Sequence, residues 1–329
     1  MILAGDVGGT NARLAIYDVE HGKPKPLALE VVPTRLYGSF REVAAGFMER
    51  HATPVERACF GVAGPVKDGR ADPPNLEWEF DEERLADELG LKKVYLVNDL
   101  VANAHGIAAL EEEDFAPLNA GEPLEGGARA LISPGTGLGE AGLIRLGGHH
   151  RPFPSEGGHT DFAPRDELEI ALLQFLLTDL EHVSYESVLS GAGLHRIYQF
   201  LRETGRAEEP AWLAGRIRAE DPAAVISTVA LEDGSELCVR ALDLFVSILG
   251  AEAGNLALKI FATGGVFIGG GIAPKILPKL KAPTFMRAFT AKGRMKALLR
   301  SIPVHAILND KTALLGAARY AGLQGAQPE

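Results

Sequence analysis

Two glycine-rich turns, each set between two strand-like runs, constrain this chain more than any other feature. The first is Asp6-Val-Gly-Gly-Thr-Asn-Ala-Arg13, where a run ending in an acid meets two glycines before a second strand pattern begins. The second is Ser133-Pro-Gly-Thr-Gly-Leu-Gly139, again at a strand end and again leading into a strand, Glu140–Leu146. Such turns leave backbone N–H groups uncovered, so with Thr10 they can line a nest for phosphate oxygens, and Gly8 and Gly9 are expected to take the positive φ of a tight turn. Asp6 could then hold Mg²⁺ through water. Two of these elements can grip a nucleotide's phosphates from opposite sides, which one alone could not. A plain glycine hairpin is the competing reading of the first turn taken by itself.

Neither turn leads into a helix, and this excludes the common nucleotide folds. Gly137-Leu-Gly-Glu-Ala-Gly142 satisfies G-x-G-x-x-G, but that fingerprint needs glycines that open a helix towards pyrophosphate, whereas Ala141–Leu146 reads as strand. No G-x-x-x-x-G-K-[ST] loop occurs, and Asp161-Phe-Ala lacks the catalytic-loop sequence that accompanies it in protein kinases.

The first third of the chain alternates strand and helix patterns. Ile2–Val7, Arg13–Val19 and Leu27–Pro33 read as strands, and Phe40–His51 has helical spacing at Phe40, Val43, Ala44, Phe47 and Met48. Arg57–Ala63 and Lys93–Val97 are further strands; Asp81–Leu89 and Asp99–Leu110 are helices. The order β-β-β-α-β-α-β-α predicts a mixed sheet flanked by helices, its two later strands parallel. Glu111–Ala128, acidic and rich in Gly and Pro, reads as a linker or domain edge. The expected division is a small α/β domain over 1–110, with a helix at about 310–329 packing back on it, and a large domain over 111–309. The large domain begins with strands at Arg129–Ser133 and Glu140–Leu146. Helix follows from Glu167 to about Phe261, broken at Glu203–Pro210 and Asp221-Pro222, then strand Val266–Ile268, helical Ala273–Leu280, strand Val304–Leu308 and helix Thr312–Leu323.

Composition narrows the function. The 329 residues are 46% hydrophobic, enough for a sizeable core, and 44 acidic against 33 basic side chains give a formal net charge of −11. That charge opposes phosphate backbones and anionic lipid, so small molecules rather than nucleic acid or membrane are the expected partners. Cys59 and Cys238 sit far apart among apolar neighbours, as buried thiols of a reducing compartment do. The N-terminus reaches Asp6 before any apolar signal region could form, and no run approaches the ~20 apolar residues of a membrane span. A cytoplasmic protein is expected.

Candidate chemistry concentrates in a few loops. Asn98-Asp99 ends a strand directly before a helix. Either residue could cap that helix, but a carboxylate at the carboxyl end of a sheet strand is also where α/β folds place ligand-binding groups, and Asp99 could take a proton from a hydroxyl. Pro154-Ser-Glu-Gly-Gly-His-Thr-Asp161 places Glu156 and His159 on a glycine loop, where helical i,i+3 geometry is not expected to apply. Glu, His, Asn and Asp together suit several sugar hydroxyls. Glu186 could join them, although beside Ser184 it could equally be an acid in a first helical turn. Phe267-Ile-Gly-Gly-Gly-Ile leaves bare backbone at Gly270 and Gly271, an adenine or ribose platform or a close helix–strand packing. His149 and His150 read as solvated loop residues, His105 and His182 as structural.

These motifs, in this order, resemble the bacterial glucokinase family of the hexokinase, Hsp70 and actin superfamily. The likeness spans almost the whole chain and rests on Gly5–Arg13, Asn98-Asp99, Pro134–Gly139, Glu156–Pro164, Leu189-Ser-Gly-Ala-Gly193 and Gly264–Gly271. It implies a two-domain actin-like ATPase (ribonuclease H-like) fold with the sugar in the cleft. It also implies ATP phosphates on Gly5, Asp6, Val7, Gly8, Gly9 and Thr10 and on Thr136 and Gly137, with Gly270 and Gly271 near the nucleoside. Asp99 is then the catalytic base, and Asn98, Asp99, Glu156, His159 and Glu186 hold glucose hydroxyls, with Asn75 a weaker candidate. MgATP is the implied phosphate donor, ADP or polyphosphate the alternatives, and a homodimer the implied assembly. Related sugar kinases carry a Cys-rich zinc motif where this chain has Thr160-Asp-Phe-Ala-Pro164, so no zinc is expected. A kinase for another hexose or N-acetylmannosamine would keep the same loops. A sugar-sensing repressor would need an added DNA-binding segment, whereas this chain starts at its first strand. A chaperone or filament protein would need a substrate domain or polymer contacts.

Overall fold

The computed structural model describes residues 1–20, 23–73 and 76–325. Asn75, the weaker sugar candidate, lies outside the described residues. The chain divides into two compact units, Met1–Glu112 with Asn309–Glu329, and Glu113–Leu308.

The first unit is built on a five-stranded sheet in the order β3-β2-β1-β4-β7: β1 (Ile2–Val7), β2 (Asn11–Glu20), β3 (Lys23–Pro33), β4 (Arg57–Val62) and β7 (Lys93–Asn98). The meander β1-β2-β3 is antiparallel, and β4 and β7 add in parallel, as the strand–helix alternation predicts. Between them β5 (Arg70–Ala71) and β6 (Phe80–Asp81) form a small two-stranded ribbon that the pattern did not reveal, since two-residue strands carry no periodicity. Helix α1 (Phe40–His51) starts where Ser39 accepts the N–H of Glu42 at 3.3 Å, and its Phe40, Val43, Ala44 and Phe47 lie buried against Phe60 of β4 and Leu85 of α2 (Glu82–Leu89). Each such aromatic removed from water contributes roughly 2–3 kcal/mol.

The opposite face of the sheet, Ile2, Ala4, Ala15, Tyr17, Cys59 and Val97, is covered by α3 (Asp99–Gly106) and α12 (Thr312–Gln324). Two glycines set the spacing of these helices. A Cβ on Gly106 would overlap the carbonyl oxygen of Thr312, and one on Gly316 would overlap that of Ala102. The chain's last helix is thereby locked to the helix that begins at Asp99. Helix α3 is shorter than the expected Asp99–Leu110: from Ile107 the backbone tightens into a 3₁₀ turn.

The second unit is centred on a six-stranded sheet in the order β11-β10-β9-β12-β13-β8. Its strands are β8 (Phe115–Asn119), β9 (Arg129–Pro134), β10 (Leu138–Leu146), β11 (His149–Ser155), β12 (Gly265–Ile268) and β13 (Val304–Ile307). Two strands differ from expectation. β8 runs through the segment read as linker, its Pro and Asn lowering its strand signal, and β11 begins at His149, so the hairpin loop is Gly147-Gly148 alone. His150 is accordingly a strand residue, its Nε2 3.2 Å from the carbonyl oxygen of Gly127. The helices are α4 (Glu167–Leu176), α5 (Gly191–Glu203), α6 (Ala211–Ala219), α7 (Pro222–Leu231) and α8 (Glu236–Ile260), followed by α9 (Leu277–Lys281), α10 (Pro283–Thr290) and α11 (Lys296–Ser301). Helical structure is thus broken between α4 and α5 and between α7 and α8 as well as at the two expected places, and the expected helix Ala273–Leu280 is turn up to Ile276, with α9 beginning only at Leu277. The 25-residue α8 is buried along most of its length and organises the core of this unit.

Candidate active site

In the first unit the candidate residues gather at the carboxyl ends of β1 and β7. Gly5 and Val7 are buried strand residues: the place of a Gly5 side chain is filled by Phe60 and Leu14, and Val7 is wholly enclosed. Only the turn Gly8–Thr10 offers backbone outwards, with Gly9 and Thr10 exposed. The turn closes through Gly8 N–H donating to the Asn11 carbonyl at 3.1 Å, and neither Gly8 nor Gly9 takes a positive φ. The expected left-handed turn is therefore corrected. The loop is instead pinned from outside, where the Thr34 hydroxyl donates to the Gly9 carbonyl at 2.7 Å and the Thr34 N–H to the Thr10 carbonyl at 3.0 Å. Thr34, buried to 4% exposure, was not foreseen; a threonine after β3 carries no local signal. Asp6 pairs across the ladder with Arg13, and burial pushes its carboxyl above the usual carboxylate range against the opposing pull of that guanidinium.

At the end of β7, Asn98 is the helix cap: its Oδ1 accepts from Leu100 N–H at 2.9 Å and Val101 N–H at 3.3 Å, while its Nδ2 donates to the Gly64 carbonyl at 3.0 Å. Asp99 also accepts from Leu100 N–H, at 2.9 Å, and sits in the first turn of α3, where the helix dipole favours a negative charge. Both residues therefore share the Leu100 N–H. Asn98 accepts two N–H groups of the first turn and Asp99 one, so the two side chains hold the start of α3 together. Gly61 lets α3 pack closely on β4, because a Cβ there would stand 3.1 Å from the Ala102 methyl.

The second unit brings its candidates together on three segments. The turn between β9 and β10 closes with Gly135 N–H donating to the Gly137 carbonyl at 2.8 Å, leaving Thr136 exposed. Glu156 follows β11 and leads into a 3₁₀ turn, Gly157–His159. The residues at its two ends do obey i,i+3 spacing, contrary to expectation, because a 3₁₀ turn eclipses positions three apart. His159 Nε2 consequently lies 4.0 Å from Glu156 Oε2, with both side chains mostly exposed. Glu186 ties all three together. Its Oε2 accepts from Leu138 N–H at 2.9 Å, its own N–H donates to the Gly158 carbonyl at 2.8 Å, and its carbonyl accepts from the Ser190 hydroxyl at 2.9 Å. It belongs to the irregular segment between α4 and α5 and not to a first helical turn. Ser190 is the cap of α5, and Ser190-Gly-Ala-Gly193 was the signal for that break.

Beyond β12, Gly270 takes φ +77° and any Cβ there would overlap the Pro134 carbonyl, so it is needed to pack the end of β12 on the end of β9. Gly271 has open space around it and is the residue that keeps bare backbone available. His182 is an exposed residue, its Nε2 3.0 Å from Asp161 Oδ1, and not part of the core.

Comparison with known proteins covers nearly the whole chain. A family model described as Glucokinase matches residues 3–324. A glucokinase of Nostoc punctiforme is 42% identical over 337 residues, covering 97% of this chain and 98% of that protein. The crystal structure of a glucokinase from an Antarctic psychrotroph superposes with a TM-score of 0.83 at 32% identity, covering 98% of both chains. A ROK-family glucokinase from Streptomyces griseus, solved with glucose and AMPPNP, shares the fold at a TM-score of 0.68 and 23% identity over 98% of this chain and 99% of that one. The two units carry the actin-like ATPase fold, and the chain belongs to the glucokinase family of hexose-phosphorylating kinases.

Proposed function

We propose that the chain transfers the γ-phosphoryl group of MgATP to the 6-hydroxyl of D-glucose, giving glucose 6-phosphate and ADP, with Asp99 as the base. The observation that carries this reading is the place of Asp99, a carboxylate at the carboxyl end of β7 in the first turn of α3, next to Asn98, which makes the two-bond cap of that helix. In this reading Asp99 accepts the hydroxyl proton as that oxygen attacks phosphorus, while Asn98, Glu156, His159 and Glu186 orient the sugar through its other hydroxyls. The outward backbone of Gly8–Thr10 and the turn at Thr136 and Gly137 hold the phosphates, and Gly271, with Gly270 beside it, faces the nucleoside.

A magnesium ion fits Asp6, because a carboxyl pushed up by burial regains its charged form beside a divalent cation. When bound, the ion neutralises charge on the transferred phosphoryl group; holding it through water is the part of Asp6. Exclusion of water from the reacting hydroxyl prevents wasteful hydrolysis of ATP. We read the product as feeding glycolysis in the cytoplasm, where the buried Cys59 and Cys238, their thiols pushed up by burial, stay reduced and inert. No helix among the described residues is long and apolar enough to cross a membrane. We also read the working form as a homodimer, which light scattering coupled to gel filtration tests directly.

A coupled assay of glucose 6-phosphate formation, run with ATP, ADP or polyphosphate and with glucose, mannose, fructose or N-acetylmannosamine, tests the central claim. Highest kcat/KM for glucose with ATP is expected. A higher value for another sugar or donor would replace glucose or ATP in the reading.

A further inference from the structure

Beneath the Glu156–His159 turn lies a buried group of polar side chains that the reaction as derived does not use. Glu140 of β10 is 1% exposed and Glu252 of α8 is wholly enclosed. No donor group reaches either carboxyl oxygen of Glu140 among the described residues, and the side chain that meets it is the carboxyl of Glu252. Glu252 is well supplied: Lys259 Nζ donates to its Oε1 at 3.1 Å and Asn255 Nδ2 to its Oε2 at 2.7 Å. Asn255 also bonds the hydroxyl of Tyr185 at 2.9 Å and accepts from Lys292 Nζ. The group thus runs from the strand behind the Thr136-Gly137 turn to the residue preceding Glu186.

Glu140 meets the sugar loop directly. A Cβ on Gly157 would overlap Glu140 Oε2, and one on Gly158 would overlap the Leu138 carbonyl oxygen, so the turn rests on β10 with the Glu140 carboxyl as its floor. The turn is held from above by Gly157 N–H donating to Ser155 Oγ at 3.0 Å and by the Glu186 N–H to the Gly158 carbonyl.

We propose that Glu140, packed under Gly157 and facing Glu252, is a positioning residue that sets the placement of Glu156 and His159 for the hexose. The inference rests on the assignment of that turn to the sugar. Two enclosed carboxyls that face each other cannot both stay charged. Glu252 has the ammonium and amide donors, so the proton resides on Glu140, whose carboxyl is pushed up to about 8 by burial and by the charge of Glu252, against the pull of Lys259. The other charged or titratable groups packed around the pair include Tyr185, raised by burial and by Glu252, and Lys292, lowered by burial and by Arg165 and Lys259, with Glu252 and Glu169 opposing. Loss of the Glu140 proton places a second, unpartnered charge against Glu252, and the displaceable element above it is the glycine turn.

The test is the pH dependence of KM and kcat for glucose between pH 5.5 and 9.5, measured on the wild type, Glu140→Gln, Glu140→Ala and Glu156→Ala. Glutamine keeps the shape and can donate to Glu252, but cannot ionise. The wild type is expected to show a glucose KM that rises about tenfold above pH 8 with kcat nearly level, from the cost of an unpaired buried charge. Glu140→Gln is expected to keep the low KM and lose that rise; Glu140→Ala should raise KM at every pH. A Glu140→Gln profile that rises as the wild type does overturns the proposal even where the alanine variant fails to fold, and so does a wild-type KM that is level through pH 9.5. If Glu156→Ala leaves KM unchanged, the sugar assignment of the turn fails and takes the proposal with it. A raised KM in Glu156→Ala together with a wild-type profile in Glu140→Gln removes the positioning role alone.

Discussion

The carboxylate of Glu186 accepts the backbone N–H of Leu138 at 2.9 Å, which couples a candidate sugar ligand to the first residue after the Thr136-Gly137 turn. In the proposed reading one side chain therefore serves two substrates. The contact is close enough that a Cβ on Gly137 would overlap Glu186 Oε2, so the turn is moulded on the acid. Glu186→Ala leaves the Leu138 N–H unpartnered, a loss of about 1–3 kcal/mol. We expect KM to rise ~10-fold or more for both glucose and ATP. Glu186→Gln retains a carbonyl acceptor and should restore the ATP KM more fully than the glucose KM. Steady-state kinetics with each substrate varied in turn checks this; an ATP KM unchanged in Glu186→Ala would show that the bond does not shape the turn.

Asp99→Ala should lower kcat by ~10²–10⁴ while glucose still binds, since proton acceptance is used only as the hydroxyl attacks. Asp99 shares the capping of Leu100 with Asn98, so the cap survives its removal. Calorimetric titration with glucose separates the two effects. Wild-type turnover in Asp99→Ala would remove the base from its role.

The elements that were legible in the sequence are those whose burial imposes a period. α1 begins and ends where the spacing of Phe40, Val43, Ala44 and Phe47 places it, because those side chains meet one core. β1, β4 and β7 were readable as apolar runs covered on both faces. Elements whose shape comes from partners far along the chain were not. β8 pairs with β13, nearly two hundred residues away, and β11 exposes most of its residues, so neither shows a strand pattern of its own. The site divides in the same way. Glycine turns and acids at strand ends announce themselves, but the Thr34 anchor, the 3₁₀ spacing of Glu156 and His159, and the threefold tie at Glu186 depend on tertiary contacts.

Gly316→Ala sets two effects against each other. In the interior of α12 alanine is favoured over glycine by about 1 kcal/mol. The added methyl, however, would overlap the carbonyl oxygen of Ala102, which is backbone of α3 and cannot swing aside as a side chain would. Overpacking of this kind costs about 1–3 kcal/mol or more, so the steric term wins and the variant should melt at lower temperature. Because α3 begins at Asp99, kcat should fall with stability. A Gly316→Ala protein with wild-type Tm and kcat would mean that α12 can retreat from α3 without consequence.

The buried carboxyl pair also predicts how stability follows pH. Unfolded, Glu140 titrates near the ordinary value of 4.5; folded, it keeps its proton to about 8. Between those values the folded state binds the extra proton, so stability falls as pH rises. The contribution is fully present below 4.5 and gone above about 8. Glu140→Gln has no proton to lose and lacks the slope. Scanning calorimetry at pH 5, 6.5 and 8.5 in matched salt should therefore show wild-type Tm falling relative to the variant by about 3 °C or more across the series, the scale of one to two kcal/mol in a unit of this size. Parallel Tm curves would mean that Glu140 is already ionised at pH 5, and that a donor, not a proton, balances the charge of the pair.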